Sequence, residues 1–155
     1  FLGVCWMQGE FDLMTRDYAS HPQHFNHMVE AFRRDLKQFH SQLNNITAAP
    51  WFCGDTTWYW KENFPHAYEA IYGNYQNNVL ANIIFVDFQQ QGERGLTNAP
   101  DEDPDDLSTG YFGSAYRSAE NWTTSLRSSH FSAAARRGII SDRFVEAILQ
   151  FWRER

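Results

Sequence analysis

Long apolar runs, basic patches and cysteine are all scarce in this sequence. No stretch approaches the roughly 20 apolar residues that span a bilayer, so no transmembrane helix is expected. No stripe of lysine and arginine occurs, which argues against nucleic acid as a partner. Cys5 and Cys53 are the only cysteines. Without a third or fourth thiol a structural zinc site is nearly excluded. Each cysteine sits in an apolar run that reads as a strand, and the two strands read as neighbours. A buried free thiol is the commoner state in that setting, and a disulfide stays open.

What is present suits one domain with a real core: 155 residues, 43% of them apolar. Aromatics reach 17%, with six tryptophans. Such an excess suits a sugar-stacking site, although burial accounts for most aromatic residues. The net charge of −6 is local. Five of the nineteen acids lie at Asp101, Glu102, Asp103, Asp105 and Asp106, and the remaining fourteen nearly balance thirteen bases. The acidity is a loop property and not a global field. The chain opens on Phe1 instead of methionine, so we expect residues ahead of it and read nothing into the lack of a targeting signal.

Along the chain, Phe1 to Met7 reads as a buried strand. Phe25, Met28, Val29, Phe32, Leu36, Phe39 and Leu43 then recur at steps of three and four, which predicts a helix entered near Ser20 and Pro22. Pro50 to Cys53 reads as a second strand opening into Gly54-Asp55-Thr56-Thr57. A second helix is expected from about Pro65 to Leu80, and a third strand from Ile83 to Phe88. Residues 89–129 show no regular element, and a loop of that length in a compact domain is usually functional or partly disordered. A last helix from about Ser132 to Trp152 buries Phe131, Ala135, Ile139, Phe144, Ala147, Ile148 and Phe151, with a close approach expected at Gly138. Strands alternating with helices imply an α/β fold with a parallel sheet covered by helices. Three strands are few for such a sheet, and the pattern reads as the second half of something larger.

Two places carry candidate chemistry. Gln8-Gly9-Glu10 follows the first strand at once, where open α/β sheets place ligand-handling groups. A glutamine amide can donate to a developing oxyanion, and a glutamate can accept from an imidazole. His130 closes the long loop just before the last helix, and carboxyl-end loops of a parallel sheet converge on one crevice. Taken alone, a tripeptide in a loop and a histidine before a helix are both more often ordinary surface features.

Other patterns weigh less. His21, His24 and His27 are evenly spaced, but Pro22 interrupts them and no carboxylate joins in register, so a polar helix face is the expected reading. Asp101, Asp103 and Asp105 mimic the opening of a calcium loop, yet Asp106 and Phe112 stand where glycine and glutamate belong. No metal or other cofactor is therefore expected. Asn45-Ile46-Thr47 and Asn121-Trp122-Thr123 are glycosylation sequons that matter only in a secreted eukaryotic protein. Trp58, Tyr59 and Trp60 fit a sugar-binding rim or the core about equally.

Together, GVCWMQGEFD near the start and SSHFSAAARRGIISDRFVEAI near the end resemble two blocks of the SGNH hydrolases, in particular family 6 carbohydrate esterases and sialate O-acetylesterase-like proteins. The first is similar to that family's W-x-Q-G-E-[SA]-D block after a buried strand. The second is similar to its histidine block and the helix beyond, here with Gly138 and Arg143 five residues apart. FRRDL and APWFCGDTT also match the family's helix and following strand in place and character. The resemblance implies a three-layer α/β/α sandwich of flavodoxin-like type with a parallel sheet, present here as the C-terminal part of one domain over 1–155. It further implies hydrolysis of an acetyl ester on a carbohydrate by a serine and a histidine, without a cofactor. In those terms Gln8 and Gly9 form the oxyanion and substrate-binding turn, His130 is the general base, Glu10 supports the histidine, and Asp12 organises the turn. A secreted or extracytoplasmic setting goes with the resemblance.

The chain departs from that pattern twice. No serine lies in the family's Gly-x-Ser context after a first strand, so the nucleophile is absent and the isolated chain is expected to be inactive. The acid that normally precedes the histidine by two or three residues is replaced by Arg127 and Ser128. A cation there would oppose imidazolium formation. The missing acid and the aromatic excess also suit a non-catalytic carbohydrate-binding or interaction module on the same scaffold. If Glu10 takes over as the acid that orients His130, Glu10→Gln in the complete protein should cripple turnover, and near-normal turnover would rule that role out.

Overall fold

The computed structural model describes residues 2–37, 39, 49–88 and 129–155. The acidic stretch at 101–106, both sequons and all but the last residue of the expected loop at 89–129 lie outside the described residues. So does Leu43 of the expected first helix.

Three parallel strands form the sheet, in the order β1 (Val4–Trp6), β2 (Trp51–Gly54), β3 (Ile83–Val86). Cys5 faces Phe52 across the first pair, and Phe52 faces Ile84 across the second. Between β1 and β2 lie α1 (Glu10–Met14), a 3-10 turn (Arg16–Ala19) and α2 (His21–Leu36). Between β2 and β3 lie α3 (Trp58–Asn63), α4 (Pro65–Tyr68), a π-helical turn (Glu69–Gly73) and α5 (Asn74–Gln76). The chain closes with α6 (Ala133–Arg137) and α7 (Ile139–Arg153). This is the α/β architecture with a parallel sheet that the alternating pattern implied.

Side chains alternate across a strand, and β2 uses both faces. Trp51 and Cys53 join Phe25, Val29, Ile71 and Tyr75 on one side. Phe52 joins Val86, Phe88, Ile140 and Phe144 on the other. Helices α1 to α5 therefore cover one face, and α6 and α7 cover the other. Phe52 is fully buried, and burial of a side chain that size stabilises the fold by about 1.5–3 kcal/mol.

Local sequence explains most boundaries. Pro22 sits in the first turn of α2, where its missing N–H costs nothing, and Arg33 and Arg34 occupy the last turn, where cations favour the helix dipole. Ser132 caps α6 by accepting from the Ala135 N–H at 3.0 Å.

Several expectations need correction. Cys53 is buried as expected, but Cys5 is exposed. It belongs to β1, an end strand of the described sheet, which has only one covered neighbour. The expected helix from Pro65 stops at Gln76 and contains a π turn, and a separate helix, α3, forms ahead of it from the Trp58-Tyr59-Trp60 run. The last helix is interrupted at Gly138, whose close approach is to the Ala134 carbonyl of the turn before it.

At Gly54 the sheet and α7 meet without room for a side chain. A Cβ there would lie 2.7 Å from Phe144 Cζ, 2.9 Å from Met7 Cγ and 3.0 Å from Phe88 Cζ. Gly54→Ala should therefore destabilise the protein by about 1–3 kcal/mol through overpacking. A lowered denaturant midpoint with an unchanged slope is the expected reading, and an unmoved midpoint would contradict it.

Candidate active site

Parallel strands all end at the same edge, and that edge carries the polar residues. Gln8 and Gly9 follow β1, Asp55, Thr56 and Thr57 follow β2, and Asp87 follows β3. Gly9 adopts φ 126°, a conformation that favours glycine. It is also seated close on the helices below, since a Cβ would lie 2.9 Å from Ile71 Cγ2. The turn sends Gln8 outward, where it is exposed, and starts α1 at Glu10.

A pocket of about 320 Å³ opens here, lined by Gln8, Glu10, Phe11, Met14, Tyr59, Trp60, Ser129 and His130. Gln8, Glu10 and His130, drawn from segments more than a hundred positions apart, thus line one pocket. Gly9, the fourth, is buried beneath the turn and lies outside the lining. The volume fits one small molecule, and the lining is largely apolar with a few polar groups.

Several polar groups of the pocket are held by hydrogen bonds. Trp60 Nε1 donates to the Ser129 carbonyl at 2.8 Å, which ties the segment carrying His130 to α3. Ser129 Oγ lies 2.9 Å from His130 Nδ1. A hydroxyl there can accept from Nδ1–H, the tautomer in which Nε2 carries the lone pair. Thr56 Oγ1 donates to Glu10 Oε1 at 2.5 Å. Burial pushes the Glu10 carboxyl above its ordinary range, and the Thr56 bond draws it partly back.

Asp55 anchors the segment that follows β2. It is only 2% exposed, and Oδ1 accepts from the Thr56 N–H at 2.8 Å and the Tyr68 hydroxyl at 2.9 Å. Lys61 Nζ stands 2.5 Å from Oδ2 and lies over the rings of Trp58 and Tyr68. Burial raises the Asp55 carboxyl despite the opposing Lys61 charge.

Sequence reading missed several of these groups. His21 does not lie on a polar helix face: its side chain is 10% exposed, with Nδ1 2.8 Å from Asp12 Oδ2 and Nε2 2.9 Å from the Tyr75 hydroxyl. A usable signal was there, because His21 precedes Phe25 by four and Met28 by seven and so continues the apolar stripe of α2. Asp12, expected to organise the turn, accepts this contact from α1. Of the aromatic trio, Trp60 is core at 5% exposed and Trp58 is exposed at 36%. Among the described residues no group of three or more His, Cys, Asp or Glu side chains is placed to hold a metal ion, and no helix is long and apolar enough to cross a membrane.

No family model matches the chain. Over all 155 residues it is 94% identical to a probable 9-O-acetyl-N-acetylneuraminic acid deacetylase of Escherichia coli (strain K12), of which it covers 48%. It also resembles the crystal structure of NanS, with a TM-score of 0.74 and 92% identity, covering 100% of this chain and 48% of that one. The chain thus spans about half the length of the proteins it matches.

The Asp55–Lys61 pair yields a pH test. A carboxyl raised by folding binds its proton more tightly in the folded state than in the unfolded chain. Its ionised form therefore carries a cost that falls away as pH drops through the folded pKa. Lys61→Met removes the main opposing charge and should cost about 3–5 kcal/mol at neutral pH. The deficit should shrink in acid, once Asp55 is protonated. Denaturant melts at several pH values check this, and a pH-independent deficit would refute it.

Proposed function

We propose that the chain is the C-terminal part of an SGNH-type carbohydrate O-acetylesterase whose substrate is 9-O-acetylated N-acetylneuraminic acid. The observation that carries the reading is the pocket that joins Gln8, Glu10 and His130. The near-identical deacetylase supports the substrate assignment.

In this reading a serine from the other half of the protein attacks the acetyl carbonyl carbon while His130 Nε2 takes its proton. The carbonyl oxygen becomes an oxyanion, and the exposed Gln8 amide donates to it. His130 then returns the proton to the departing sugar oxygen, which leaves an acetyl-serine. Water attacks that ester while His130 accepts its proton, and His130 then gives the proton to the serine oxygen as the bond to the acetyl carbon breaks and acetate leaves. Ser129 holds the tautomer in place of the acid that Arg127 and Ser128 displaced. Glu10, its carboxyl held by Thr56, supports the base from the same pocket lining. Phe11 and Met14 offer apolar surface to the acetyl methyl. The methyl end of the substrate is the part that a largely apolar pocket can desolvate without loss.

The test is acetate release from 9-O-acetyl-N-acetylneuraminic acid by the complete protein. His130→Ala should lower kcat by about 100- to 10,000-fold, and the isolated 155 residues should release none. Robust turnover by the isolated chain, or an active His130→Ala protein, would overturn the reading. Sugar binding by the complete protein without acetate release would establish the carbohydrate-binding module in its place.

A further inference from the structure

Beneath the Gln8-Gly9 turn lies a buried polar cluster that the proposed reaction does not use. The Tyr75 hydroxyl is its centre. It lies 3.0 Å from Trp6 Nε1, 3.1 Å from the Gln8 carbonyl oxygen and 2.9 Å from His21 Nε2. Tyr75 itself is fully buried. It comes from α5, His21 from α2, and Trp6 and Gln8 from the two sides of the β1 terminus, so the cluster staples three parts of the fold to one backbone carbonyl.

Counting donors decides what the cluster can do. The indole N–H only donates, so it occupies one lone pair of the Tyr75 oxygen, and the Gln8 carbonyl only accepts. Tyr75 has a single proton for two candidate acceptors, Gln8 O and His21 Nε2. Burial holds its phenol well above the ordinary range, so that proton stays on the oxygen. The outcome depends on His21. When both ring nitrogens are protonated, Nδ1–H donates to Asp12 Oδ2, Nε2–H donates to Tyr75, and the Tyr75 proton goes to Gln8 O. When the ring is neutral, Nδ1–H keeps its bond to Asp12, Nε2 presents a lone pair, and the Tyr75 proton turns to it. Gln8 O then loses its donor.

Around the His21 ring, Asp12 comes from α1 and Tyr75 from α5. Cys53 of β2 lies within electrostatic reach of Tyr75, as does Asp12. Asp17 of the 3-10 turn caps Ser20 through its backbone carbonyl. Phe25 of the same helix stacks on the ring at 6.5 Å with planes 10° apart.

We infer that Tyr75 is a positioning residue for Gln8, and that the protonation state of His21 decides whether Tyr75 holds the Gln8 carbonyl. The inference deepens the esterase reading and rests on Gln8 as the oxyanion donor. A Gln8 backbone fixed through its carbonyl keeps the side-chain amide aimed at the oxyanion, and its release loosens that aim.

The experiment uses the complete protein. With the His21 ring labelled with 15N and the Gln8 carbonyl with 13C, both signals are followed by NMR as the pH is varied. The two should shift together with one midpoint. A Gln8 carbonyl signal that does not move with the His21 ring signal overturns the inference without any variant having to fold. In parallel, Tyr75→Phe should lower kcat by up to about tenfold, the rate equivalent of one ordinary hydrogen bond, with KM little changed. If His21 sets the Gln8 carbonyl contact, kcat falls as His21 loses its proton, and Tyr75→Phe should abolish that fall, which a purely structural role would leave in place. The cost should vanish when Gln8 is already alanine. If Gln8→Ala alone retains full kcat, the oxyanion reading fails and takes this role with it. If Gln8→Ala is crippled while Tyr75→Phe is unaffected in rate and pH profile, only the present inference fails.

Discussion

The middle strand of the described sheet is sealed on both faces, and its polar end has nowhere to go but inward. Trp51, Phe52, Cys53 and Gly54 are all buried, and so are Asp55, Thr56 and Thr57 behind them. Buried polar groups are costly unless partnered, and the partners chosen here assemble the rest of the site. Asp55 brings in Lys61 and Tyr68, which fixes α3 and α4 over the sheet edge. Thr56 brings in Glu10, which fixes the start of α1. With α3 placed, Trp60 can reach the Ser129 carbonyl and carry His130 to the pocket.

This ordering explains why a polar site sits on so aromatic a protein. The rings around Trp51 pack edge to face, with Phe25 at 5.8 Å and Phe32 at 5.4 Å. Such contacts make a rigid layer under the sheet at little cost in side-chain freedom. Where rings carry a donor or hydroxyl, they also serve as struts: Trp6 and Tyr75 meet at 3.0 Å, and Trp60 holds Ser129. The aromatic excess is mainly structural, with Tyr59 and Trp60 turning part of it toward the pocket wall.

The π turn at Glu69–Gly73 belongs to the same logic. One extra residue in the turn lets Ile71, Tyr72 and Tyr75 all approach Gly9, within 2.9, 3.5 and 3.6 Å of where a Cβ would stand. Such turns recur at functional sites because they re-aim side chains without ending the helix. Here the result is a close-packed seat for the turn that presents Gln8.

By itself the sequence determined the parallel α/β order and the stripe of α2, and through its resemblance to a known family it named Gln8-Gly9-Glu10 and His130 as the residues to watch. The first two follow from periodicity and from the alternation of strands with helices, and the last from short motif blocks, all of which are local or topological. Only the tertiary structure decided which polar groups meet. His21 finds Asp12 nine residues away and Tyr75 fifty-four away, and Trp60 finds Ser129 sixty-nine away. Hydrogen bonds have no period, so partners at such separations leave no pattern in the chain. They exist because packing closes off water, and a buried donor must then take whichever acceptor the fold has brought within reach.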